Sequence, residues 1–128
     1  MRVLVVEPYK LPYEKNIEDT LESLQKEVDG YIEYTHIEKE TDVSIICNEE
    51  GIILGLEPNR LIGKDRGIFG TFLIVGIDLK SGEDIDLTEE QIENYKRKFN
   101  EKSIEDMENY IVNIMMKKAS KNNDMDIG

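Results

Sequence analysis

The sequence predicts an α+β domain: a mostly antiparallel sheet of about five strands covered by two to three helices. Two observations carry this. Short runs rich in β-branched and aromatic residues, at positions 3–7, 31–37, 43–47, 52–54 and 70–76, are bounded by Gly, Pro, Asn and Asp, as strands are. Alongside them lie three stretches with apolar residues at helical spacing, each opened by Asp, Thr or Ser.

Taken in order, residues 3–7 form a continuous apolar run stopped by Pro8 and Pro12, which reads as a buried strand leading into an extended segment. Asp19 and Glu22 resemble a capping box, Leu21, Leu24 and Val28 make one apolar stripe, and Gly30 stands where a helix ends. Residues 31–37 alternate in part, as a half-solvated strand does, and residues 43–47 form another strand. Asn48-Glu49-Glu50-Gly51 has turn chemistry, so residues 52–54 are expected to return as the hairpin partner of 43–47. Pro58 argues against further regular pairing, and residues 60–67 read as a polar loop. Residues 70–76 are the most apolar strand and belong in the sheet interior. Thr88 and Gln91 repeat the capping-box pattern ahead of Ile92, Tyr95 and Phe99. Ser103 is expected to cap a last helix.

This places one α+β domain over residues 1–100, a C-terminal helix over 101–121 packed on it or on a second protomer, and a frayed tail over 122–128. Met107, Met115 and Met116 beside Tyr110, Ile111, Val112 and Ile114 make the last helix apolar on more than one stripe. One stripe suits the core and the other an oligomer interface, so a homo-oligomer is expected.

With 28 acidic and 16 basic side chains the chain carries a net charge of −12, which repels phosphate backbones and anionic lipid. Direct nucleic-acid binding and membrane association are therefore disfavoured. A single cysteine rules out an intramolecular disulfide, and no apolar run approaches the ~20 residues of a membrane span. A cytoplasmic protein is the expectation.

Chemistry-bearing residues are few. Asn59 and Arg60 could hold an anion or a planar edge, because a guanidinium offers a bidentate fork and the amide offers both a donor and an acceptor. Gly70 and Thr71, opening an apolar strand, could add backbone amides and a hydroxyl. These four form the candidate ligand site, with Asn48, Glu49 and Glu50 as possible contributors. The bland alternative is that Arg60 pairs locally and Asn59 serves a turn. His36 and Cys47 lack an orienting third group for a catalytic dyad, the acids at 83, 84 and 86 do not match a calcium loop, and no zinc spacing occurs. No catalytic residue, metal or cofactor is assigned.

The segments Asn48-Glu49-Glu50-Gly51, Gly55-Leu56, Pro58-Asn59-Arg60 and Gly70-Thr71-Phe72 resemble, in order and spacing, a phage, prophage and mobile-element family known only as a domain of unknown function, number 3846 of that series. The opening strand, residues 20–33 and residues 87–95 are similar to it as well, so the likeness spans roughly residues 1–99. The family brings no activity with it. The resemblance implies a setting in which small acidic proteins counter host defence, in the host-cell cytoplasm if phage-encoded. The leading expectation is a non-enzymatic protein that binds and sequesters a small anionic or nucleotide signal of a bacterial defence system. An acidic DNA mimic that occupies a host nuclease or a restriction or CRISPR effector is the alternative. A nucleotide-processing enzyme, with Arg60 on phosphate and Glu49 or Glu50 as base, is the third.

Overall fold

The computed structural model describes the backbone of residues 1–127 and the side chains of residues 1–121. Among the described residues, eight strands and three helices follow one another. The main sheet is entirely antiparallel, and the α+β architecture is the one expected. Its order is β2 (Tyr13–Asn16), β1 (Arg2–Val6), β7 (Phe72–Ile77), β4 (Val43–Asn48) and β3 (Ile32–Thr35), with the short β8 (Asp84–Ile85) pairing the end of β7. A separate hairpin joins β5 (Pro58–Gly63) to β6 (Arg66–Phe69).

β7 lies between β1 and β4, and Phe72, Leu73, Ile74 and Val75 are fully buried, as the most apolar run should be. Alternation sends its side chains to opposite faces. On one face Leu73 and Val75 join Val3, Val5 and Ile46 beneath Leu24 and Val28 of α1 (Leu21–Val28). On the other, Phe72 and Ile74 join Leu4, Val6 and Ile45 beneath Ile62 and Ile68 of the β5–β6 hairpin and Ile92, Tyr95 and Phe99. The last three belong to α2 (Glu89–Lys98) and its C-cap. The result is a sheet covered by a helix on one side and by a hairpin with a helix on the other.

Local chemistry explains the boundaries. Thr20, one residue after the expected Asp19, caps α1 by accepting from the Ser23 amide at 3.2 Å, and Asp29 adopts the left-handed conformation that ends it. Leu21 thereby falls on the outer side, 58% exposed, while Leu24 and Val28 keep the buried stripe. Thr88 and Gln91 form both halves of a capping box, as the sequence suggests. Gln91 and the Tyr95 hydroxyl then bind the Asp42 carboxylate and dock α2 at the start of β4. Asn100, not Ser103, caps α3 (Glu101–Ile127): its side-chain oxygen accepts from the Ser103 amide at 3.2 Å. The tail expected over 122–128 falls on residues whose side chains lie outside those described.

Two expectations about whole segments are overturned as well. Residues 52–54 do not pair with β4, because β3 and β7 already occupy both of its edges. The chain instead closes a helical turn, with the Leu54 amide on the Glu50 carbonyl at 2.9 Å and Leu56 on Gly51 at 3.0 Å. Residues 60–67 are not a loop but most of the β5–β6 hairpin. Pro58 is tolerated because it stands first in its strand, where its missing N–H costs least.

Candidate functional site

Asn59 and Arg60 sit in β5 with 1% and 0% exposure, under the crossing of three elements. The Asn59 amide donates at 2.8 Å to both Val6 and Gly70 carbonyls, tying the end of β1 to the turn before β7. Its oxygen accepts from Arg60 at 3.0 Å. The rest of the guanidinium reaches the Ser103 hydroxyl at 2.7 Å and the carbonyls of Lys10 at 2.6 Å, Phe99 at 3.3 Å and Glu7 at 3.5 Å. Five acceptors meet the five N–H groups a guanidinium possesses.

No carboxylate takes part, so burial lowers the Arg60 pKa, to about 10, and the group stays charged at neutral pH. What holds a buried cation there is the set of five neutral oxygen acceptors, one of them at the carbonyl end of α2, where positive charge is favoured. Arg60 therefore locks the 7–10 segment, the α2–α3 corner and β5 together. Gly70 belongs to the same knot: its φ is +87°, its carbonyl accepts from Asn59, and an added Cβ would meet Leu56 Cδ1 at 2.6 Å. Thr71 is half-buried beside it and bonds neither Asn59 nor Arg60. The structure thus brings Asn59, Arg60 and Gly70 into one cluster whose donors are turned inward.

Asn48 also has a structural post. Its amide donates to the Val28 and Asp29 carbonyls at 3.1 Å each, and its oxygen accepts from the Glu50 amide at 2.7 Å, so it closes the end of α1 and opens the next turn. That turn lifts Ile52, Ile53 and Leu54 into solvent at 72%, 84% and 56% exposure. Beside it a cleft of about 640 Å³ is walled by Ile52, Ile53, Phe69, Tyr110 and Ile114. Glu33, Glu49, Glu50 and Asp65 stand around it with Arg66, which pairs with Glu33 at 3.3 Å. Nothing in the sequence brought Asp65, Arg66 and Tyr110 to Glu49; the meeting depends on the unexpected β5–β6 hairpin.

A second acidic region runs from the β7–β8 turn into α2. Glu83, Asp86, Glu89, Glu90 and Glu93 are exposed along it, and Asp19, Glu83 and Asp84 line a further cleft. Arg2 is the cation among them, paired with Glu14 and Glu89. Asp84, partly buried, has its pKa raised by desolvation against the Tyr34 hydroxyl bonded to it at 2.8 Å.

Cys47 is 3% exposed, its thiol pushed up to about 11 chiefly by burial, so it is a protonated core group at neutral pH. His36 is exposed past the end of β3. Among the described residues no group of His, Cys, Asp and Glu is gathered as a metal would require, and no helix is long and apolar enough to cross a membrane.

Residues 1–100 match the family described as Domain of unknown function (DUF3846), and the chain belongs to it. The matched region ends one residue before α3 begins. No curated protein and no solved structure matches the chain.

Proposed function

We propose that this member of the family is a non-enzymatic phage or mobile-element protein that counteracts a bacterial defence system by acidic mimicry of DNA. It presents carboxylates to the basic groove of a host nuclease or a restriction or CRISPR effector. The observation that carries this reading is the exposed acidic strip at Glu83, Asp86, Glu89, Glu90 and Glu93. Glu83 and Asp86 flank the short β8, and Glu89, Glu90 and Glu93 stand on the first turns of α2, held by its capping box, within a molecule of net charge −12. Charge fixed in place is complementary to a phosphate-binding groove before contact, which speeds encounter and selects the partner.

Sequestration of a small anion or nucleotide at the site the sequence points to would draw on a guanidinium facing solvent. Arg60, the one the sequence points to, is fully buried with its N–H groups bonded inside the chain. An anion could take it only by displacing carbonyls that hold the fold. The nucleotide-processing reading loses its phosphate ligand for the same reason.

The test is binding of the chain to a DNA-binding restriction or CRISPR effector at rising salt. Affinity should fall steeply between about 50 and 200 mM. Neutralising the strip by Glu83→Gln, Glu90→Gln and Glu93→Gln should weaken binding at low salt with the melting temperature preserved. Binding indifferent to both salt and these replacements contradicts the reading.

A further inference from the structure

The last helix holds a stretch of the chain that runs against its charge and, unlike the basic end of α2 at Lys96–Lys98, joins it to exposed apolar side chains. Residues 110–121 contain three lysines and no carboxylate, whereas residues 1–109 contain 13 basic and 26 acidic side chains. The first half of α3 is fastened to the body: Met107 is 1% exposed and the Tyr110 hydroxyl donates to the Asp65 carbonyl at 3.1 Å. Past Ile114 it overhangs. Val112, Met115 and Met116 are exposed at 51%, 64% and 65%, and with Ala119 they fall on one side of the helix at i, i+3, i+4 and i+7. Lys117, Lys118 and Lys121 flank them, all exposed.

The cleft beside this helix has the opposite character. Ile52 and Ile53 offer an apolar wall, and Glu33 is matched by Arg66. Glu49, Glu50 and Asp65 are left on the rim without a basic partner among the described residues. Three lysines beside an apolar stripe thus have a counterpart in three carboxylates beside an apolar wall. A helix rises 1.5 Å per residue, so residues 115–121 of a rigid α3 are carried away from their own cleft, not into it.

We infer that the overhang of α3 from a second copy fills this cleft, and that the exchange is mutual, giving a two-fold dimer. Because Ile114 of each chain lines its own cleft, a two-fold axis near it lays the two helices antiparallel and sends each overhang across the other's acidic rim. Elsewhere the two acidic bodies repel, so this element is also what selects the contact. Since α3 lies outside the residues matched to the family, the dimer is a property of this chain's added helix. It leaves the acidic strip on α2 free.

The test is sedimentation equilibrium of the full chain at tens of micromolar, with far-UV circular dichroism on every variant. The wild type should sediment at twice its 14.8 kDa mass. Met115→Glu, and separately Lys117→Glu with Lys118→Glu, should give monomers of unchanged fold, their side chains being exposed. Adding Glu49→Lys and Glu50→Lys to the lysine-reversed chain should restore the dimer. A monomeric wild type overturns the inference. So does a dimer that survives both helix variants, or a lysine-reversed chain that the compensating change fails to rescue.

Discussion

At the scale of single residues, Arg60 shows how far an unusual side chain can be read from sequence. Its placement with Asn59 after a proline is not hairpin chemistry, and that much is legible. Its partners are the carbonyls of Glu7, Lys10 and Phe99 and the Ser103 hydroxyl, up to 53 positions away, and no local pattern points to them. Arg60→Met should cost about 3 kcal/mol or more in chemical denaturation, because three carbonyls lose their donor in the interior. Arg60→Lys should recover little of it, since one ammonium cannot span the fork. Loss of under about 1 kcal/mol in either would mean that the arginine is not structural. Cys47 supplies a pH dependence. Its folded pKa, about 11, lies above its ordinary 9.0, so its contribution is whole below pH 9 and lost as pH rises through 11. Tyr95, also raised by burial, acts in the same direction. Denaturation midpoints should fall across that window, less steeply in Cys47→Ala, and the native thiol should resist alkylation at pH 8.

At the scale of elements, β1, β3, β4 and β7 of the central sheet and both capped helices of the family domain are legible because their signals are local: β-branched runs for the strands and the Thr88–Gln91 box for α2. The edge strands β2 and β8 are short and polar and carry no such run. The two larger failures share one cause. Whether residues 52–54 become a strand depends on a free edge of β4, and β7, some twenty residues later in the sequence, has taken it. The same competition frees residues 58–69 to make their own hairpin, which then carries Asn59 and Arg60 inward and Asp65 outward. Ile52 and Ile53 consequently behave as surface residues. In the monomeric Met115→Glu chain, where nothing covers the cleft, Ile52→Ser with Ile53→Ser should change the melting temperature by no more than a degree or two, the shift expected of roughly 0.5 kcal/mol or less at an exposed site. A strand of the sheet would lose several times that. Gly70→Ala is the opposite case, strained by a φ of +87° and by contact with Leu56, and should lower the melting temperature clearly.

At the scale of the whole molecule, net charge and its distribution decide between functional classes. The sequence shows a charge of −12 and so disfavours a direct hold on nucleic acid; it does not show which cations face inward. Once Arg60 is sealed, the exposed character of the family domain is the carboxylate strip along β8 and α2, together with the acid-rimmed cleft. A surface of that kind is complementary to the basic grooves of proteins that bind polyanions, as the proposed function requires. The most direct measurement is displacement of a fluorescent DNA duplex from a restriction or CRISPR effector, followed by anisotropy as the chain is titrated in at low salt. Mimicry predicts competitive release of the duplex that disappears as salt is raised and is blunted by neutralising Glu83, Glu90 and Glu93. A duplex that stays bound, together with a melting temperature raised by a nucleotide and returned to baseline by Thr71→Ala, would contradict it.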